Sequence, residues 1–463
     1  MIKSTQLRPG SMRVHRQQTK ENMLAKKAQP RIYKGTRDFL PSQMVKRNYV
    51  INIIKTIFEK YGFEPLETPT IEMWDTLSGK YGEEGDRLTY RFVDRGERQV
   101  GLRYDLTVPL SRVMAMYPQL PKPFKRYQIQ PVWRADKPQK GRFREFYQCD
   151  ADVIGSPSMI ADAEVIAVMN EILTVLNFKS FTIRINTRKV LSAIVEASGA
   201  DMSREFDIYR AIDKLDKVGF DGVAGILAKQ EITDAAISKI MEILKIDGSN
   251  RERIDRAGSI LSESDSGRDG LAEVEELFQY LAAYQIPESN YAFDLCLARG
   301  LDYYTGPIFE TIVEEPRIGS ITGGGRYDEL IGMFSGQSQP ATGSSIGLER
   351  IITVMDELDM FPANINTSTE VLVTVFNEET LPYSLQIANS LREAGINTDL
   401  YTGKSKLRGQ FGLANDKQIP LVIVAGPDEQ IAETANLKNM ITGDQQSVKL
   451  DDLAGEIQSA LKA

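Results

Sequence analysis

Beyond Lys34-Gly35-Thr36-Arg37-Asp38, apolar residues first recur at helical spacing: Val45, Tyr49, Ile53, Ile54, Ile57, Phe58 and Tyr61, with Gly62 as the predicted stop. Phe63-Glu64-Pro65-Leu66-Glu67-Thr68-Pro69 then reads as extended chain, because each proline disfavours helix in the residue before it. Between 90 and 154, short strand-like runs alternate with turns, which predicts an antiparallel sheet. A strongly apolar helix is predicted over 160–176 and a strand over 181–186.

From 187 to 286 the pattern turns to Ala, Ile, Leu, Asp and Glu at helical spacing, with 262–267 read as a loop. That stretch predicts an inserted helical subdomain. Strand-like chain resumes at Tyr291 and passes through Gly-rich turns into a helix starting near Gly347. Past a polar linker, 371–376 and 421–425 read as buried strands and 381–394 as a helix closed by Gly395, the signature of a small α/β unit. The expected fold class is α+β. Its parts are a flexible tail (1–29), a sheet domain in two pieces (30–186 and 287–357), the helical insertion (187–286), a linker (358–367) and the α/β domain (368–463). The tail is polar and basic, with Glu21 its only acid. A targeting segment is the competing reading, against which the tail has no clear amphipathic face.

Composition narrows the chemistry. No apolar run approaches the ~20 residues needed to span a bilayer. Two cysteines, Cys149 and Cys296, cannot build a disulfide framework or a structural zinc site, which points to a reducing compartment and a cytoplasmic protein. The single histidine, His15, lies in the tail, which excludes Ser-His-Asp and Cys-His triads and the usual catalytic zinc sites. An enzyme with this sequence works with carboxylates, guanidiniums, tyrosines and a bound metal–nucleotide, with no metal site assigned to protein side chains.

A net charge of -8 argues weakly against a nucleic-acid partner. Phosphate binding needs only a local basic surface. Lys122, Lys125, Arg126, Arg134, Lys137, Lys140, Arg142 and Arg144 supply one, against Asp136 alone; a merely solvated face is the duller alternative. Two glycine motifs are decoys. Gly403-Lys404-Ser405 lacks the first glycine of a P-loop, since Thr398 stands there, and Gly323-Gly324-Gly325 lacks dinucleotide spacing.

Four segments carry the remaining signal. They are Leu102-Arg103-Tyr104-Asp105-Leu106-Thr107-Val108-Pro109, the run from Trp133 to Asp152, Arg299-Gly300-Leu301-Asp302-Tyr303-Tyr304-Thr305-Gly306, and Gly323-Gly324-Gly325-Arg326-Tyr327-Asp328 followed by Gly343-Ser344-Ser345-Ile346-Gly347-Leu348-Glu349-Arg350. In their order and spacing they resemble class II aminoacyl-tRNA synthetases, and within that class the histidyl-tRNA synthetases. Pro69 falls in motif 1, Arg134 to Arg144 in motif 2 and Gly343 to Arg350 in motif 3. The Arg299 and Gly323 segments resemble the two peptides that set the histidine enzymes apart.

The resemblance implies an antiparallel catalytic sheet with flanking helices, a helical insertion near the tRNA acceptor arm, and a C-terminal anticodon-binding domain. It implies histidine, ATP with Mg2+ and the histidine tRNA as partners, and a homodimer across motif 1. Arg134 would grip the α-phosphate and Arg142 and Arg350 the distal phosphates, with Phe146 on adenine and Asp136 near its amino edge. Arg299 would bridge the histidine carboxylate and the α-phosphate as a second catalytic cation. Asp105, Thr107 and Gln148 would hold the α-ammonium, Asp152 and Tyr304 the two imidazole nitrogens, and Tyr303 would line the pocket. Lys137, Gln139, Lys140 and Arg144 would meet the acceptor end, and Lys404, Lys406 and Arg408 the anticodon arm.

Physical chemistry supports these residue types. Carboxylate attack on the α-phosphorus builds negative charge and needs little proton transfer, so fixed cations supply most of the catalysis. Arginine holds phosphate bidentately and never loses its proton. In a strand, Gln148, Asp150 and Asp152 share one face. Two segments depart from the commonest family pattern: Arg134-Ala135-Asp136 has an aspartate where glutamate is usual, and the pocket has Asp105 and Asp152 where many bacterial relatives carry glutamates. The competing functions are the histidine-sensing regulatory subunit of ATP phosphoribosyltransferase, which lacks the anticodon domain and the arginine-bearing peptide, and a synthetase for proline, threonine or glycine.

Overall fold

The computed structural model describes residues 29–139, 141–298, 303–362 and 365–462. The strands are β1 (Glu64–Pro65), β2 (Ile71–Met73), β3 (Arg91–Val93), β4 (Gln99–Leu102), β5 (Phe124–Trp133), β6 (Glu145–Ile154), β7 (Thr182–Thr187) and β8 (Tyr291–Phe293). After them come β9 (Pro307–Ile312), β10 (Thr322–Arg326), β11 (Ala341–Gly347), β12 (Val371–Val373), β13 (Thr398–Leu400), β14 (Leu421–Val424), β15 (Thr434–Asn439) and β16 (Gln445–Lys449).

One sheet of eight strands organises the first three-quarters of the chain, in the order β1-β5-β6-β11-β10-β9-β7-β8. It is antiparallel throughout its middle and parallel only at its margins, where β1 joins β5 and β8 joins β7. Its apolar face packs on the Pro41–Lys60, Met159–Val175 and Leu348–Glu357 helices, with Val50, Ile54, Phe58, Ile166, Met169, Ile172 and Ile351 in the shared core. The Pro41–Lys60 helix starts on proline, whose missing N–H costs nothing in a first turn. Gly62 follows its C-cap with a φ of 76°, a turn that glycine makes without penalty.

Helices from Arg188–Ser198 to Asp265–Ala283 occupy the stretch between β7 and β8, around a core that includes Ile194, Ile208, Leu227, Ile240 and Leu261. That core continues onto the sheet through Phe293 and Ile308. The loop expected at 262–267 is shorter. Ser264 accepts a hydrogen bond from the Gly267 amide at 3.1 Å and caps a helix already running from Asp265.

A second difference lies inside 90–154, where Thr107–Met116 is a helix rather than a further strand. Thr107, Val108 and Pro109 read as strand or turn. In a helix's first turn, however, the proline forfeits no hydrogen bond. Beside this helix, β2, β4 and β3 make a separate antiparallel sheet of three strands.

The C-terminal unit is a five-stranded sheet, β13-β12-β14-β15-β16, parallel over its first three strands and antiparallel over its last two. Helices Leu381–Glu393 and Leu450–Lys462 cover its Val371, Ile387, Leu421, Ile423 and Ile457 core.

Candidate active site

The second face of the large sheet is polar, and yet it is buried. On β6, Cys149, Ala151 and Val153 enter the helix-side core, while Gln148, Asp150 and Asp152 take the opposite face. Tyr127 packs with the same core, and its β5 neighbours Arg126 and Gln128 lie with the polar set. Across β6, Ser345 of β11 stands in register with Asp150. Tyr81, Tyr104, Val108, Leu110 and Tyr327 form an aromatic and aliphatic cluster, with Tyr303 and Tyr304 packed against it.

Asp152 is held from two sides. Arg126 Nη2 lies 2.8 Å from its Oδ2, and the Tyr327 hydroxyl donates to its Oδ1. Arg126 is wholly buried and also donates to the Leu106 carbonyl at 3.2 Å, tying the sheet to the segment that carries Asp105. A β-carbon at position 343 would overlap Asp152 Oδ1, so glycine makes room for that carboxylate. One at position 325 would come within 2.9 Å of the Tyr304 ring.

Asp105 Oδ1 accepts from the Val108 amide at 3.0 Å and from the Tyr81 hydroxyl at 3.1 Å. The Val108 bond satisfies a first-turn donor of the Thr107–Met116 helix, so the turn that begins the helix also positions the carboxylate. The Tyr303 and Tyr304 rings pack with their centroids 5.0 Å apart, tilted at 59°. Gln148 Nε2 donates to Ser345 Oγ at 2.9 Å and to Asp150 Oδ1 at 3.4 Å.

Burial pushes the carboxyls of Asp105, Asp150 and Asp152 upward, opposed at Asp105 by the Val108 amide and at the other two by Arg126. Among the described residues, Asp105 Oδ2 and Gln148 Oε1 are buried acceptors without a donor. Orphaned acceptors beside carboxylates fit a cationic ligand bearing N–H groups.

The β5–β6 hairpin supplies the cations. Arg134 Cζ stands 4.3 Å from the centroid of the Tyr104 ring and 5.2 Å from that of Phe146, and its Nε donates to the Tyr104 carbonyl at 3.1 Å. Arg142 Nε donates to Asp136 Oδ2 at 3.0 Å, so these two expected nucleotide contacts hold each other. Arg350 donates through Nη1 to the Ser320 carbonyl. Lys137 and Gln139 are exposed on the hairpin tip, where the Gln139 amide donates to the Arg142 carbonyl at 3.1 Å. Lys404, Lys406 and Arg408 are exposed on the C-terminal unit. The expected positions Arg299 and Lys140 lie outside the described residues.

One expectation needs correction. The basic run 122–144 is not one surface. Arg126 is spent inside on Asp152, and Lys125 pairs with Glu164 at 2.7 Å, because both project from a strand within the sheet. Arg144, at the hairpin base, donates to the carbonyls of Asp136 at 3.0 Å and Lys34 at 3.1 Å. Sequence reasoning also missed Tyr81, Arg126 and Tyr327 as pocket residues. Tyr327 stands within the Gly323-Gly324-Gly325-Arg326-Tyr327-Asp328 motif, whereas nothing local marks the other two.

Comparison with known proteins decides the family. The model of the family Histidyl-tRNA synthetase matches residues 35–351, and that of the Anticodon binding domain matches 370–460. The chain belongs to the histidyl-tRNA synthetase family. A histidine–tRNA ligase of Phocaeicola vulgatus is 42% identical over 455 residues, covering 93% of this chain and 100% of the relative. A histidyl-tRNA synthetase structure from Nostoc sp. PCC 7120 superposes with a TM-score of 0.84 at 33% identity, covering 94% of this chain and 100% of that one. The S. aureus histidyl-tRNA synthetase structure matches with a TM-score of 0.67 at 25% identity, covering 93% and 100%. Membership makes the chain an aminoacyl-tRNA ligase of the class II fold. The regulatory-subunit alternative is not better supported, since the family models match over both 35–351 and 370–460.

Proposed function

We propose that the polar pocket on β6 holds histidine and that the Arg134 hairpin holds ATP, so that the two react across the rim of the sheet. The histidine carboxylate attacks the α-phosphorus, a C–O–P anhydride forms, and pyrophosphate leaves. The terminal hydroxyl of the tRNA then attacks the acyl carbon and AMP leaves.

The orphaned acceptors Asp105 Oδ2 and Gln148 Oε1 carry this assignment, because a buried α-ammonium supplies the missing donors. Thr107 completes that end. Asp152 and Tyr304 take the two imidazole nitrogens, with Tyr303 against the ring. Asp152 suits this role because Arg126 and Tyr327 fix its carboxylate in place. Such polar readout rejects analogues that leave buried groups unpaired.

Arg134 meets the α-phosphate, with its guanidinium steadied by Tyr104 and Phe146. Phe146 also offers its face to adenine. Arg142, oriented by Asp136, and Arg350 take the distal phosphates, and Asp136 lies toward the adenine amino edge. Arg299 bridges the carboxylate and the α-phosphate. Magnesium enters with ATP, bound by its phosphates as that ion prefers. Lys137, Gln139, Lys140 and Arg144 guide the acceptor end, while Lys404, Lys406 and Arg408 meet the anticodon arm. The chain works as a cytoplasmic homodimer joined across the motif 1 segment around Pro69. Its parts follow the boundaries 30–186 and 287–357 for catalysis, 187–286 for the insertion and 368–463 for the anticodon.

ATP–pyrophosphate exchange measured with each of the common amino acids tests the assignment. Exchange with histidine alone supports it. Exchange driven by another amino acid, or by none, overturns it.

A further inference from the structure

Asp150 is a carboxylate on the pocket floor that none of the proposed roles uses. It is 2% exposed, midway between Gln148 and Asp152 on β6, opposite Gln128 on β5 and Ser345 on β11. The charged and titratable groups facing it are Arg126 on β5, Asp152 on its own strand, Asp105 ahead of the Thr107–Met116 helix, and Tyr303 and Tyr304 ahead of β9. Arg126 is already engaged by Asp152 at 2.8 Å. Among the described residues Asp150 has no ion pair; the Gln148 amide donates to its Oδ1 at 3.4 Å, and Ser345 stands opposite it on β11.

A buried carboxylate with only neutral donors is poorly stabilised. Burial accordingly lifts its carboxyl from 3.8 to about 7, with Arg126 opposing and Asp152 reinforcing the shift. Within the same strip, Asp105 Oδ2 and Gln148 Oε1 are buried without donors. A ligand that satisfies this set carries a full positive charge and several N–H donors. An α-ammonium has both.

We propose that Asp150 is a further acceptor for the α-ammonium of the bound amino acid, and that it exchanges a proton for that cation. The inference rests on the pocket assignment made above. The neutral carboxyl becomes a carboxylate paired with the ammonium, its proton passes to solvent, and no other bond is made or broken. At a pH below the Asp150 midpoint, binding therefore releases a proton that the protein itself supplied. Histidine's own imidazole titrates nearby, so the comparison must be between proteins meeting the same ligand.

Isothermal titration calorimetry of the full-length chain with histidine at about pH 6.5, run in phosphate and in Tris, counts the protons released on binding. Wild type should release most of a proton more than Asp150→Asn. The variant should bind histidine roughly 10- to 100-fold more weakly, the worth of one hydrogen bond to a charged group. A triazole isostere of histidine, whose ring takes up no proton at this pH, should release the same extra proton from wild type. Asp150→Ser serves if Asp150→Asn does not fold. Equal proton counts in wild type and variant overturn the proposal and leave the pocket assignment standing. Failure of wild type to bind histidine overturns both.

Discussion

Arg126→Met keeps much of the side-chain volume and removes the charge that faces Asp152. The two side chains are 0% and 4% exposed, with nitrogen and oxygen 2.8 Å apart. Removing one member of such a pair leaves the other uncompensated in a poorly solvated site, at a cost of about 3–5 kcal/mol. Asp152 can escape part of that cost by taking up a proton, since burial already raises its carboxyl and Arg126 is the cation opposing the rise.

The sign of the pH dependence follows. A carboxyl raised in the folded state binds more protons than its unfolded counterpart between the two midpoints, so stability falls as pH rises through that window. The variant should lose most near about pH 8 and least near about pH 5.5, each unit contributing up to ~1.4 kcal/mol. Of the two tryptophans, Trp133 ends β5 and Trp74 opens the short helix that follows β2, so urea denaturation followed by their fluorescence reads the affected part of the molecule. Arg126→Met with Asp152→Asn removes the stranded charge and should recover most of the loss. A cost below ~1 kcal/mol at the higher pH, or no recovery in the double variant, refutes the pair as the support of the pocket.

Other perturbations separate the two ends of the site. Arg134→Ala should lower kcat for histidine-dependent exchange by roughly 100- to 1,000-fold while histidine binding, read by calorimetry, changes little; comparable losses in both would move Arg134 into the amino-acid pocket. Tyr327→Phe deletes the hydroxyl that donates to buried Asp152, and should raise the KM for histidine by about 5- to 30-fold with the KM for ATP unchanged. A parallel rise in both constants would mark a general loss of structure instead. Deleting residues 371–463 should leave pyrophosphate exchange measurable and depress tRNA charging, and undiminished charging would remove the C-terminal unit from tRNA recognition.

How far the site was legible depended on the kind of information each residue carries. Gln148, Asp150 and Asp152 were readable as one face because strand alternation is local. Cys149, Ala151 and Val153 mark the other face as core in the same way. The Thr107–Met116 helix escaped the pattern because its first turn is Thr, Val and Pro, and only a first turn tolerates that proline. Arg126 and Arg134 look alike in the sequence. Eight residues apart on one strand and its margin, one is wholly buried against a carboxylate, and the other stands between two aromatic rings at the rim.

By itself the sequence determined the α+β class, the strongly periodic helices, and the ordered peptides through which the chain resembles histidyl-tRNA synthetases. Such features depend on neighbours a few residues apart, or on residue types kept at set intervals. Tertiary structure alone decided what each charge meets. The β5–β6 register sets Arg126 opposite Asp152, the close approach of β11 makes Gly343 the space that Asp152 fills, and Tyr327 arrives from beyond β10 to bond the same carboxylate. Burial, pairing and proton affinity are properties of an environment assembled from distant segments, and the alternation of residues along one strand cannot name the partners across the sheet.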